Sequence, residues 1–175
     1  MAGAARGKRQ GAVSLASPPR GRLVLIASFA AATVLNILPG PTWAAPFLPD
    51  WVALTLIYWC LAVPHRVSVG VGWTAGLTLD VLYGSLLGQH ALAKSVIAYI
   101  AVRLHPQLRM FPRWQQAVSV LVLLVINQLL IIWIRGATDQ APATLAYWTP
   151  SIVGMLLWPW LFVILRDARR RWHVG

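Results

Sequence analysis

Few residues in this chain could do chemistry. Its 175 residues include four acidic side chains, four His and one Cys, against fifteen Lys and Arg. One acid stands out: Asp80, in the middle of the apolar stretch "AGLTLDVLYGSLLGQHALAKS" at residues 75–95. A carboxylate in such a place suits proton transfer, metal ligation or an ion pair, and each of these needs a second group within reach. His90 is near in sequence, whereas His65, His105 and His173 fall at the opposite ends of apolar blocks, so no three histidines converge on a metal. There is no HExxH, no CxxC, no phosphate-cradling glycine loop and no paired-Asp motif. Cys60 lies in an apolar run and reads as a buried, inert thiol, which leaves neither a disulfide scaffold nor a thiolate cluster. No catalytic, cofactor or metal site is expected.

The elements that must position Asp80 are apolar blocks. Hydrophobic residues make up 58% of the chain and charged ones 11%, with ten Trp and a mean hydropathy of +0.66. Blocks of this kind need lipid around them, so the sequence predicts an all-α integral membrane protein. Spans are expected near 23–38, 48–63, 67–87, 89–104, 114–134 and 148–165, each against the ~20 residues that cross a bilayer core. The second is short. Between Asp50 and Pro64 there is too little chain for a crossing, so this helix should begin within "APFLP" or run through the proline. Residues 1–22 carry five basic side chains and no hydrophobic periodicity, as a disordered tail would, and 166–175 read as a second basic tail.

The formal charge of +11 could suggest nucleic acid, but the basic residues sit at the ends of apolar blocks, where membrane lipid is the expected partner. With the amino terminus inside, only Lys94 and Arg135 of the fifteen basic residues fall toward the outside. Translocated short loops avoid positive charge, so six spans with both termini cytoplasmic are expected. Trp43, Trp51, Trp133 and Trp148 then lie near outer ends, and Trp114 and Trp172 near inner ones, where amphipathic rings favour the headgroups. A rival reading makes residues 1–45 a signal peptide; the long basic start and the inverted charge bias after cleavage speak against it.

Gly72, Gly76, Asp80, Gly84 and Gly88 recur every four residues and share one slowly drifting helix face. Small residues let a second backbone approach, so the stripe is expected to be a packing groove with a carboxyl group in its floor. Its guest is either a helix of this chain or a partner's transmembrane helix. Asp80 should face protein, paired or protonated, and similar depth from the turn near Leu87 and Gln89 makes Lys94 its expected ion-pair partner. Asn127 and Gln128 interrupt the fifth span as interhelical hydrogen-bonding groups. Asp50, after a proline, reads as an N-cap. Pro159 should kink the last span. "YGSLLG" is faintly similar to the glycine-serine motif of intramembrane serine proteases, but Ser85 falls by a turn and lacks the expected histidine helix.

Residues 48–100 resemble the MreD family of bacterial rod shape-determining proteins. The features that carry the resemblance are Pro49, Asp50 and Trp51, then Tyr58, Trp59 and Pro64, then Gly76, Asp80, Gly84, Gly88, Gln89 and His90. Lys94 is not part of that pattern. The resemblance implies a non-enzymatic inner-membrane subunit of the cell-wall elongation machinery. It would bind MreC and, through it, a complex containing the MreB filament, RodZ, the RodA glycosyltransferase and a penicillin-binding transpeptidase. It also implies a fold similar to the six-helix substrate-binding subunits of vitamin transporters, which makes a small-molecule transporter subunit the alternative. The outer loops offer few convergent polar groups for such a ligand.

The charge distribution predicts where reporters will land. Fusions after Gly175 or insertions near Pro106 are expected to report cytoplasm, and insertions near Thr42 or Gln140 periplasm. A periplasmic carboxyl terminus in such a reporter assay would overturn the six-span arrangement.

Overall fold

A computed structural model of the chain describes residues 19–38, 40–41, 47–138 and 145–172. Residues 1–18 of the expected basic tail, Trp43 and His173 lie outside the described residues. Those described form six α-helices and no strand: α1 (Pro19–Ile37), α2 (Trp51–Ala62), α3 (Val69–Tyr83), α4 (Gln89–Met110), α5 (Arg113–Gly136) and α6 (Thr149–Arg171), with a 3₁₀ turn at Leu145–Trp148 leading into the last. By length and composition α5 and α6 can each cross a membrane. Helix α4 runs on through Pro106, and α6 continues past residue 165 to Arg171, so the expected carboxyl-terminal tail is helix for most of its length.

At the centre is α2. Residues Val52 to Leu61 are all buried, which explains a run that is apolar on every face: the helix is surrounded by protein rather than lying on a surface. Its twelve residues extend only ~18 Å at 1.5 Å per residue. The helix neither starts in "APFLP" nor passes through Pro64; Asp50 caps its first turn by accepting from the Ala53 N–H at 2.9 Å, and the chain leaves it at Val63. A helix this short is tolerated because its ends meet other helices instead of lipid. Trp59 donates its indole N–H to Ser28 Oγ of α1 at 2.9 Å, and Tyr58 packs edge-on against Phe162 of α6 with ring centroids 5.5 Å apart. Cys60 is fully buried.

Helices α3 and α4 form a tight hairpin, and the glycine stripe divides in two. Gly72 and Gly76 are buried against α4. A Cβ on Gly76 would lie 2.5 Å from both the Ala91 nitrogen and the His90 carbonyl, and one on Gly72 would lie 2.7 Å from the Lys94 carbonyl. The occupant of this groove is therefore the chain's own fourth helix, whose Ala91 and Ala98 complete the close approach. Gly84 and Gly88 do not belong to the groove. They sit in the turn with φ of +60° and +102° and open space beside them. Gly84 ends α3 in a Schellman arrangement: the Ser85 N–H reaches the Asp80 carbonyl at 3.0 Å, and the Gly84 N–H reaches Val81 at 3.4 Å.

Two kinds of glycine predict two sizes of effect. Gly76→Leu must push α3 off backbone atoms and should destabilise the fold by ~3 kcal/mol or more, lowering the protein's level in the membrane. Gly84→Ala meets no neighbour and should lose only the ~1 kcal/mol of a left-handed backbone. Thermal unfolding of the purified variants in detergent checks the order.

Candidate functional site

Asp80 is fully buried, and the reason lies in the helix that follows. The amino terminus of α4 has Gly88 at its N-cap, with no side chain to accept from the first N–H groups. Asp80 reaches across from α3 and does so: Oδ2 accepts from Gly88 N at 2.9 Å and Ala91 N at 3.3 Å, and Oδ1 accepts from His90 N at 2.9 Å. One carboxylate thus satisfies three orphan donors and places negative charge on the positive end of the helix dipole. Ser85 Oγ donates to the same Oδ1 at 2.9 Å, and His90 Nδ1 lies 2.8 Å from it. The expected Asp80–Lys94 ion pair does not form; His90 is the cation-capable partner of Asp80.

Ser85, His90 and Asp80 together invite comparison with a hydrolytic triad. The geometry is not that of a relay. Ser85 Oγ is 3.3 Å from His90 Nδ1, the same nitrogen that faces Asp80. A working triad holds serine and carboxylate on opposite ring nitrogens, so that a proton taken at one is balanced at the other.

Lys94, one turn further along α4 and also fully buried, takes Asp50 as its partner, with Nζ on Oδ2. Asn127 of α5 joins both, accepting from Lys94 Nζ at 3.2 Å and donating to Asp50 Oδ2 at 3.3 Å. From α1, Asn36 donates to Asp50 Oδ1 at 3.4 Å and accepts from Trp51 N at 2.8 Å. Asp50 is therefore the N-cap read from sequence and also the hub at which α1, α2, α4 and α5 meet. Similar depth does not bring Asp80 and Lys94 together, because Lys94 faces α2 and α5 while Asp80 faces the first turn of α4. Gln128 bonds Tyr147 O at 2.7 Å through Nε2 and accepts from Ser151 Oγ through Oε1, tying α5 to α6. Gln89, at the first position of α4, is buried.

Beside these two networks is a cavity of about 390 Å³. Asn36, Asp50, His90, Asn127, Gln128 and Ser151 contribute polar groups to its wall. The outer loops gave no hint of it, because its polar groups come from helices. The available signal was that Asn36, Asn127, Gln128 and Ser151 each interrupt an apolar block near the same end. Such a wall can hold a polar molecule, but it has no nucleophile paired with a free base.

The comparisons with known proteins agree over nearly the whole bundle. Residues 20–168 match the family described as rod shape-determining protein MreD. The chain is also 36% identical over 151 residues to the rod shape-determining protein MreD of Haemophilus influenzae, which covers 84% of this chain and 91% of that protein. The chain belongs to the MreD family. It is accordingly a membrane protein with a role in determining rod shape. No solved structure matches the chain, and nothing in the comparisons supports the transporter alternative.

The altered pairing predicts a specific coupling. Lys94→Met strands the Asp50 carboxylate and should destabilise this MreD-family chain by ~3 kcal/mol. Adding Asp50→Asn should recover part of that loss, whereas adding Asp80→Asn should deepen it, because Asp80 serves a different helix end. Double-mutant cycles on thermal unfolding in detergent measure both, and equal couplings for the two pairs would contradict the assignment.

Proposed function

We propose that this chain is a non-enzymatic, multi-pass scaffold subunit of the bacterial inner membrane, with six spans and both termini cytoplasmic. In this reading it binds MreC and supports peptidoglycan synthesis in a larger elongation complex with the MreB filament, RodZ, RodA and a penicillin-binding transpeptidase. The observation that carries the reading is the family match across residues 20–168, which extends from α1 nearly to the end of α6. The bundle supports it in three ways. The Ser85, His90 and Asp80 grouping lacks the geometry for proton relay. Asp50 and Asp80 are engaged as helix caps. The charge asymmetry supports an orientation with the Asp50 and Asp80 networks toward the outer side and the arginine-rich helix ends toward the cytoplasm.

Because α4 fills the Gly72–Gly76 groove, MreC is assigned to another surface of the bundle, and Gly76→Leu acts on this chain's own folding. The test is capture from detergent extracts: the tagged chain should retain MreC, and cells depleted of the chain should lose rod shape and regain it on complementation. Absence of MreC from the captured material together with normal rods after depletion would refute the proposal. A vitamin panel should leave the thermal midpoint unchanged.

A further inference from the structure

A second cavity, of about 130 Å³, lies at the other end of the bundle. Arg109 in the last turn of α4 and Arg166 and Arg169 near the end of α6 line it, together with Gln116 of α5 and Tyr58 and Leu61 of α2. Among the described residues no acidic side chain lines it. Three guanidinium groups drawn to one small space repel each other, and a planar fork of donors suits the oxygens of a phosphate. Asp167 answers the charge only in part. Its carboxylate is 3.7 Å from Arg166 Nε, close enough for an ion pair but too long for a hydrogen bond. That Nε is buried without a hydrogen-bond partner among the described residues. Arg169 donates through Nη1 to the Ala62 carbonyl at 3.3 Å, which ties it to the end of α2.

Gln116 supplies an independent sign of a ligand site. It is 7% exposed. Its Nε2 donates to the Leu108 carbonyl at 2.7 Å, while its Oε1, also buried, accepts from no group among the described residues. A buried acceptor without a donor is costly and rare, and here it lies beside a group of cations. The pocket therefore offers donors for an anion and, next to them, an acceptor that needs a hydroxyl.

We propose that this pocket binds the headgroup of an anionic phospholipid, with the phosphodiester against Arg109, Arg166 and Arg169 and a headgroup hydroxyl donating to Gln116 Oε1. Phosphatidylglycerol has that chemistry: one negative charge and a glycerol carrying free hydroxyls. The position fits as well, since the ends of membrane helices lie at headgroup level, and basic pockets between such helices on the cytoplasmic side suit anionic headgroups. Phe162 and Leu61 form an apolar wall on which the glycerol backbone can rest.

The test uses the full-length protein purified in neutral detergent, with phosphatidylglycerol, phosphatidylcholine or inorganic phosphate added. Phosphatidylglycerol should raise the thermal midpoint and survive as a bound adduct in native mass spectrometry; the other two should do neither. Arg109→Gln combined with Arg166→Gln should weaken phosphatidylglycerol binding about thirtyfold, from two arginine contacts. Arg170→Gln combined with Arg171→Gln removes the same charge outside the pocket and should change binding by no more than about twofold, as screened surface charge does. Equal stabilisation by phosphatidylcholine, equal stabilisation by inorganic phosphate, or equal loss in both double variants would overturn the proposal. The headgroup comparison on the unaltered protein decides the matter if the arginine variants do not fold.

Discussion

A helix that begins within a packed interior exposes N–H groups that water reaches poorly, and each one left unsatisfied costs about 1–3 kcal/mol. Two of the chain's few acids answer this constraint. Asp50 caps α2 from the preceding residue, and Asp80 caps α4 from the other helix of the hairpin. Each carboxylate then needs company, because a charge buried alone is worse than an unsatisfied N–H. Lys94 and Asn127 stand by Asp50, and His90 and Ser85 by Asp80. These four partners, set in otherwise apolar surroundings, thus follow from where two helices start.

The same constraint explains why α3 and α4 must run so close. Asp80 can reach the first turn of α4 only if the hairpin is narrow, and Gly72 and Gly76 make it narrow by removing side chains from the contact. Gly84 and Gly88 then provide the two left-handed residues that reverse the chain within five residues of turn. Groove, turn and cap are one device: widening the groove would withdraw the cap, and losing the cap would leave α4 starting on open donors. Helix α2 shows the other side of this economy, since twelve residues suffice when both ends are satisfied by neighbouring helices.

The resulting molecule is polarised. One end gathers Asp50, Asp80, Asn36, Asn127 and Gln128 beside a polar cavity, and the other gathers arginines around a small pocket. A bundle stiffened by buried networks at one end and by a bound headgroup at the other would present a fixed surface to partners.

Composition and charge placement determined the class of this protein, because lipid tolerates few sequences and block hydropathy, basic flanks and apolar length follow directly from that solvent. The helices near 23–38, 89–104, 114–134 and 148–165, the N-cap at Asp50 and the groove at Gly72 and Gly76 were all legible for local reasons: capping chemistry and four-residue spacing are properties of one helix. What sequence could not decide was which faces meet. Depth along a helix can be counted from a turn, but azimuth cannot, so Lys94 was matched to Asp80 when its side chain points to Asp50 and Asn127. Periodicity likewise carried the glycine stripe through residues 84 and 88, although the helix had already ended at Tyr83. The length of α2 and the two cavities depended on tertiary structure alone, because each is defined by side chains of four or more helices whose relative rotation is written in no single segment.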